Sequence, residues 1–561
     1  MKKLLCVFLC LVLLLSGCST GKVSASSAPE DLSLSSSPEE APVMSAEKTD
    51  AAVAQIKALG TSPDDNYRVW YEIFVYSYCD SDGDGIGDLQ GVISKLDELT
   101  ELGVGGIWLM PVHPSTTYHK YNVSDYYAID PAYGTLSDME QLLQECDRRG
   151  IRVIMDLVVN HSGSDHPWFK EAVAHLQKVA SGQPMDQVVC PYVDYYNFVE
   201  ADACPAGHNP VPGADGWFYE SHFDSKMPDL NLGCEAVRKE IEAIMAFWLE
   251  KGADGFRLDA AKEFYSGRTD QNIEVLSWLQ QTAVSLKPDC YLVAEVWDTF
   301  GQITDYYKSG ITSIFNYPFG NSSGKIVKVL QGAGNESMVT TWATAQEKSD
   351  TAYSGSHPGY IDAPFVSNHD VGRAAGFVGR DENKVKLAGA MNLFMSGASF
   401  LYYGDEIGMI CGGGNDPSYR APMYWNAAGD DGTTAPPPGC TLPEEYSFAP
   451  LSEQKKDDSS IYSYYRKAIA IRNALPVISH GVTTAETELN RGCVSAVRKV
   501  WEEQQAILLM NIDSKAASVD LSAYSGWQLT VSLTVDDQPV ILDGTSLSLP
   551  AYGAAILTPM A

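Results

Sequence analysis

Eight short apolar runs, with helical segments between most of them, constrain this sequence more than any other feature. They are "VWYEIFVY" (Val69–Tyr76), "VGGIWLMPV" (Val104–Val112), "IRVIMDLVV" (Ile151–Val159) and "GFRLDA" (Gly255–Ala260). "YLVAEVW" (Tyr291–Trp297), "ITSIFNY" (Ile311–Tyr317), "APFVSN" (Ala363–Asn368) and "SFLYYGDEIG" (Ser399–Gly408) complete the set. Near-continuous apolar strands of this kind are buried on both faces, as in a parallel sheet. Amphipathic segments such as "DMEQLLQECDRRG" (Asp138–Gly150) and "AVRKEIEAIMAFWLEKG" (Ala236–Gly252) supply the covering helices. Eight such units predict the α/β class and a closed (β/α)8 TIM barrel.

Two stretches break the alternation. From Asn160 to about Asn231 the chain is rich in Pro, Gly, Tyr and Asp, and too long for a structureless loop. A small inserted domain over 161–231 is predicted after strand 3, leaving 64–160 and 232–484 for the barrel. After Ala485, alternating segments such as "QAILLMNI" (Gln505–Ile512) and "AAILTPM" (Ala554–Met560) predict an antiparallel C-terminal β-domain over 485–561.

The N-terminus carries an address. Lys2 and Lys3 precede "LLCVFLCLVLLL" (Leu4–Leu15), which is shorter than the roughly 20 residues needed to span a bilayer. Residues 1–18 read as an export signal, and the closing "LSGC" resembles the lipobox of bacterial lipoproteins. That resemblance implies a lipidated Cys18 and an extracellular protein anchored to the cell membrane by acyl chains; an ordinary secretory signal is the alternative. Residues 19–63, mostly Ser, Ala, Pro and Glu, are expected to be a disordered tether.

A net charge of -33 argues against nucleic acid and anionic lipid as partners. The acyl anchor is therefore the one membrane contact expected, and the chain is expected to be a monomer. Tyr (30) and Trp (11) are plentiful enough to serve flat sugar rings, although core packing uses the same residues. Of twelve cysteines, three fall in the first eighteen residues and the rest show no CxxC metal spacing. Cys190/Cys204 and Cys411/Cys440 each flank a loop and are candidate disulfides in an oxidising exterior.

Functional residues of such a barrel lie at the C-terminal ends of its strands. Those ends carry Asp156, Asn160 and His161 ("DLVVNH"), Arg257 and Asp259 ("GFRLD"), Glu295 ("VAEVW"), and His369 with Asp370 ("FVSNHD"). A single aspartate after a strand is usually a helix cap, and Arg257–Asp259 alone is open to being a structural ion pair. Together they form a polar crown that suits glycoside hydrolysis, which needs an ionised carboxylate, a carboxylic acid and charge to steady an oxocarbenium-like transition state. Arg257 lies two residues before Asp259, so both side chains leave one face of the strand, where the guanidinium can hold Asp259 ionised and oriented.

The ordered set "DLVVNH", "GFRLDAAK", "EVW", "FVSNHD" resembles the conserved regions of the α-amylase family of glycoside hydrolases, from about Val69 to the end of the chain. The resemblance implies Asp259 as nucleophile, Glu295 as general acid/base and Asp370 as transition-state stabiliser, with retention of configuration. It implies that His161, His369 and Arg257 bind sugar at the cleavage subsite, that Asp156 orients Arg257, that Tyr121 stacks on the ring, and that Lys262 contacts the sugar beyond the cleaved bond. "MPDLN" (Met227–Asn231) is intermediate between the oligo-1,6-glucosidase and neopullulanase forms of the family's fifth region. Ala260, where α-1,6-specific relatives usually carry Val, favours α-1,4 bonds, whereas Glu263 departs from the His often found there. Asn122, where many exo-acting relatives have Asp, favours an endo-acting enzyme on starch or maltodextrins. An α-glucosidase, neopullulanase or transglycosylase, trehalose-forming ones included, would use the same residues. A non-catalytic relative would have lost carboxylates that are all present here. The aromatic cluster "GWFYESHF" (Gly216–Phe223) serves either sugar stacking or the core of the inserted domain.

One motif stands apart from the crown. "DSDGDGIGD" (Asp80–Asp88) begins like an EF-hand loop, but position 12 is Gly91 instead of the bidentate Glu. It follows the first strand and resembles a loop that binds calcium in many α-amylase relatives. That implies Ca2+ held by Asp80, Asp82, Asp84, the Ile86 carbonyl and Asp88, in a structural role. Four uncompensated carboxylates in so short a turn repel one another, which favours a cation over a metal-free Asp/Gly turn.

Overall fold

The computed structural model describes residues 46–179, 183–205 and 207–560. The signal segment, Cys18 and the first part of the expected tether lie outside the described residues. Seven parallel strands form the main sheet: β1 (Val69–Ile73), β2 (Gly106–Leu109), β3 (Arg152–Leu157), β4 (Gly255–Leu258), β5 (Tyr291–Ala294), β6 (Ser313–Ile314) and β7 (Ser399–Tyr402), ordered β7-β1-β2-β3-β4-β5-β6. The segment 361–366 closes the ring between β6 and β7. Asn316 N donates to Ala363 O on one side, and Ala398 N and Phe400 N donate to Asp362 O and Pro364 O on the other. The eighth stave thus lies where "APFVSN" was expected, but Pro364 has no N–H to give, and its ladder is cut to a single bridge.

The barrel is packed solid with aromatic rings. Trp70 stacks on Tyr291 at 5.0 Å, Trp108 packs tilted against Phe315 at 5.3 Å, and Phe315 meets Phe400 edge-on at 4.9 Å, all of them buried. Rings of this size bury ~150–250 Å² each and dominate the local energetics. The surrounding helices follow the expected period. Leu136–Arg148 opens on a capping box between Thr135 and Asp138 and buries Met139, Leu142, Leu143 and Cys146 on one stripe.

Between β3 and β4 the chain forms helix Pro167–Leu176 and a small antiparallel sheet of Phe198–Glu200, Asn209–Pro210 and Trp217–Tyr219. Leu230 N to Asn160 O, at 2.9 Å, stitches its end back to the barrel. At the C-terminus a five-stranded antiparallel sheet (first strand Val482–Ala485) packs on a three-stranded one through Ile507, Leu509, Leu547, Leu549 and Leu557.

Two expectations need correction. The tether stretch 19–63 includes an ordered helix, Glu47–Lys57, whose Thr49, Val53 and Ile56 are buried. Asp458 accepts from Thr49 N at 2.6 Å, and Arg466 pairs with Asp50 at 2.9 Å. Average composition hid the i, i+4, i+7 stripe that docks this helix. All nine cysteines among the described residues, including Cys190, Cys204, Cys411 and Cys440, are free thiols, so neither candidate disulfide is present. Among the described residues no helix is long and apolar enough to cross a membrane.

Candidate active site

Because every barrel strand points the same way, the predicted crown gathers at one end of the barrel. Asp156 and Arg257 are register partners on β3 and β4. Their ion pair is therefore written into the sheet, with Arg257 Nη1 2.8 Å from Asp156 Oδ1. The same nitrogen is 2.6 Å from Asp259 Oδ1, and Nη2 is 2.7 Å from Glu295 Oε2. Glu295 Oε2 also accepts from Ala260 N at 2.9 Å, while Tyr317 OH donates to Oε1 at 3.3 Å. One buried guanidinium thus fixes three carboxylates. It sits 5.2 Å over the Trp108 ring, so the aromatic core is the floor of the site.

The fourth carboxylate is held differently. Asp370 Oδ2 is 3.0 Å from His369 Nε2, and Oδ1 is 2.8 Å from Arg420 Nη2. Arg420 also donates from Nε to His369 O at 3.2 Å and from Nη1 to Tyr118 OH at 3.3 Å. His369 Nδ1 is 2.5 Å from Glu72 Oε1. Tyr121 OH is 2.8 Å from His369 Nε2 and 3.2 Å from Asp156 Oδ2, which fixes the ring expected to stack on sugar.

These contacts set the charges. Burial pushes Asp259 up to about 8, with Glu295 and Asp156 adding repulsion and Arg257 opposing them. Asp156 is likewise raised by burial against the pull of Arg257. Burial works against the ionised form of Asp370 as well, but His369 and Arg420 override it and hold that carboxyl well below the usual range. Burial alone would lower His369; the flanking Asp370 and Glu72 raise it to about 9. His161 is lowered to about 4 by burial and is neutral, and its Nε2 has no hydrogen-bond partner within the described residues.

A cleft of ≈ 570 Å³ opens over these groups. Of the predicted residues, Asp259, Glu295, Asp370, Tyr121, His161 and Lys262 line it. Asp156, Arg257 and His369 lie beneath and act through hydrogen bonds. Lys262 Nζ is 3.0 Å from Asp298 Oδ2 and 3.3 Å from Trp297 O, at the cleft wall. Sequence reasoning missed His119, Asp416 and Arg420 in the lining, and Glu72 beneath it. Only Glu72 left a signal, as an acid inside an apolar strand. The aromatic cluster divides: Trp217 and Tyr219 are core, while Phe223 is 49% exposed and lines the cleft beside Trp297, 47% exposed. Asn122 is buried and donates to Lys226 O at 3.2 Å, so it does not reach the cleft. Placed there, Asn122 gives no support to endo action.

At the rim, Asp80, Asp82 and Asp88 bring carboxylate oxygens within 4.8 Å of one another, and Asp84 is not among them. Asp84 Oδ1 instead accepts from Ile86 N at 2.7 Å. Asp80 accepts from Gly83 N and Gly85 N, and Asp88 from Ser81 N and Gly91 N; the remaining all-oxygen donor set of Asp80, Asp82 and Asp88 is of the type that suits a hard divalent cation. Gly83 and Gly85 turn the loop at φ 84° and 93°. A Cβ on Gly91 would sit 1.9 Å from Cys79 O, so the EF-hand Glu has no room here. The segment before the loop also grips the far rim: Ser77 Oγ donates to Arg420 O at 2.6 Å, and Trp425 Nε1 to Tyr78 O at 2.6 Å.

Carboxylates converging on one arginine at the strand ends of a (β/α)8 barrel suit glycoside hydrolysis, and similarity to known proteins places the chain among glycoside hydrolases. The chain belongs to the α-amylase family: the family model described as the alpha amylase catalytic domain matches residues 72–481. It is 35% identical over 455 residues to Alpha-amylase 3 of Dictyoglomus thermophilum, covering 79% of this chain and 84% of that protein. Among solved structures it is similar to Eubacterium rectale Amy13B, with a TM-score of 0.86 and 41% identity over 91% of this chain and 99% of the other. An alpha-amylase from H. orenii gives 0.77 and 32% over 88% of this chain and 100% of the other.

Proposed function

We propose that this glycoside hydrolase is an extracellular, retaining α-amylase that cleaves internal α-1,4 bonds of starch and maltodextrins. The observation that carries it is the grip of one guanidinium on both Asp259 and Glu295 at the floor of the cleft. Carboxylates held by adjacent nitrogens of one group favour the short spacing, ~5–5.5 Å, of retaining enzymes over the ~6.5–9.5 Å of inverting ones. Asp259 attacks the anomeric carbon while Glu295 protonates the leaving oxygen. Glu295 then takes a proton from the water that releases the sugar. One guanidinium facing three carboxylates leaves the buried cluster excess negative charge and a reason to share one proton, which the rise of Asp259 reflects; attack takes place from the form in which Asp259 is the carboxylate, held 2.6 Å from Arg257 Nη1.

Ionised Asp370 and cationic His369 flank the developing positive charge and the sugar hydroxyls, and neutral His161 offers its free Nε2. Tyr121, Phe223 and Trp297 supply ring faces, with Lys262 on the acceptor side. The relatives called α-amylases, at 35% and 32% identity, support the endo reading. The "LSGC" resemblance supports anchoring through a lipid on Cys18. A structural calcium ion would be held by Asp80, Asp82, Asp88 and the Ile86 carbonyl, where it neutralises the carboxylates and stiffens the loop; Asp84 serves only if its side chain turns inward.

Products from soluble starch, pullulan and maltotriose, run in parallel with and without chelator, test this reading. Mixed maltooligosaccharides from starch support it, and a melting temperature that drops with chelator and returns with Ca2+ supports the metal. Release of glucose alone, or growth of longer chains from maltotriose, would reject the endo-hydrolase.

A further inference from the structure

Glu72 is the penultimate residue of β1, remote in sequence from every motif of the crown, and yet it is the closest contact of His369. Both ring nitrogens of that histidine face carboxylates: Nδ1 faces Glu72 Oε1 at 2.5 Å, and Nε2 faces Asp370 Oδ2 at 3.0 Å. A neutral imidazole has one N–H and one lone pair. It would leave one carboxylate facing a lone pair in a site from which water is nearly excluded, since His369 and Glu72 are each about 1% exposed. The doubly protonated ring satisfies both. Glu72 pairs with no Lys or Arg among the described residues; burial raises its carboxyl, and His369 is the main charge opposing that rise, with Arg257 a weaker one from farther off.

We propose that Glu72 is a positioning residue of the reaction, a buried anion that keeps His369 as an imidazolium, with Nε2–H fixed toward Asp370 and Tyr121. The inference rests on the reading of Asp370 as the stabilising carboxylate. The groups around the ring fit it. Asp370 lies beside it, Asp156 on β3 reaches it through Tyr121 OH, Trp108 on β2 gives it a ring edge at 5.6 Å, and Arg420 binds its carbonyl. The cations nearby, Arg257 and Arg420, are spent on Asp156, Asp259, Glu295 and Asp370. The anions that retain the proton are therefore Glu72 and Asp370. With Glu72 neutral, Asp370 alone would hold the ring proton, and the charge delivered to the cleft would depend on pH across the working range. The upward shift of His369 to about 9 agrees with this geometry.

The test replaces Glu72 by its neutral isostere and reads the ring directly. Imidazole nitrogen NMR of the full chain, with the His369 signal assigned by its loss in His369→Asn, is recorded from pH 5 to pH 10. In the wild type both ring nitrogens stay protonated past pH 8. In Glu72→Gln the ring is expected to lose a proton about two pH units earlier, with kcat down about tenfold at pH 8 and KM within twofold. Glu72→Asp, which restores the charge, is expected to return most of the protonation. A folded Glu72→Gln chain that keeps both protons to the wild-type pH would overturn the proposal. If that variant does not fold, a wild-type ring that deprotonates below pH 7 overturns it equally. Because the NMR readout is independent of turnover, loss of the proposed amylase reading would leave this result standing.

Discussion

Arg420→Gln removes a side chain that no sequence motif marked and that the structure places on the charge of Asp370. Three contacts go with it: the 2.8 Å bond to Asp370 Oδ1, the 3.2 Å bond to His369 O and the 3.3 Å bond to Tyr118 OH. The first is charge-assisted and its arginine is 3% exposed, so the upper part of the ~1.5–3 kcal/mol range applies. If that stabilisation is felt wholly in the transition state, kcat falls by about 50- to 150-fold. Gln keeps much of the stem volume, and Ser77 still holds the 420 carbonyl, so the fold is expected to survive. Initial rates on a maltooligosaccharide series give kcat and KM separately, with circular dichroism as a check on folding. A variant within twofold of wild-type kcat would refute the assignment of Arg420 to Asp370. A change confined to KM would move Arg420 to substrate binding.

Asp259→Asn leaves the shape of the nucleophile but not its charge, and activity is expected to fall by more than about 10³-fold in the same assay. Gly91→Ala places a Cβ 1.9 Å from Cys79 O; overpacking of this kind costs about 1–3 kcal/mol, read as a lower melting temperature with calcium present. Stability should fall on both sides of neutrality, in urea titrations run from pH 3 to pH 10. His369 is raised from its ordinary 6.5 to about 9, so its contribution is full below pH 6.5 and lost as pH rises through about 9. Asp370 is depressed below 3.8, so its contribution is present above that value and lost as pH falls beneath it. A profile flat from pH 6.5 to 9.5 would contradict the paired His369.

The sequence by itself determined the barrel and most of the crown. A strand buried on both faces must be apolar almost throughout, so a polar residue at its C-terminal end stands out, as Asp156, Asp259, Glu295 and Asp370 do. The stave at 361–366 was legible in its apolar residues but not in its shortness, which follows from a missing N–H at Pro364. The helix at Glu47–Lys57 escaped because a three-residue stripe is lost in an average over a polar segment. Arg420 and His119 come from loops and Asp416 from a four-residue helical turn, where no periodicity fixes a side chain's direction; only the closed ring brings 420 beside 370. Asn122 shows the converse, a residue adjacent in sequence to the stacking Tyr121 that the fold turns away to hold Lys226. Glu72 is the sharpest case. Its type and place were visible in "VWYEI", but its meaning depends on a histidine 297 positions further along the chain, and only closure of the barrel puts that ring within 2.5 Å.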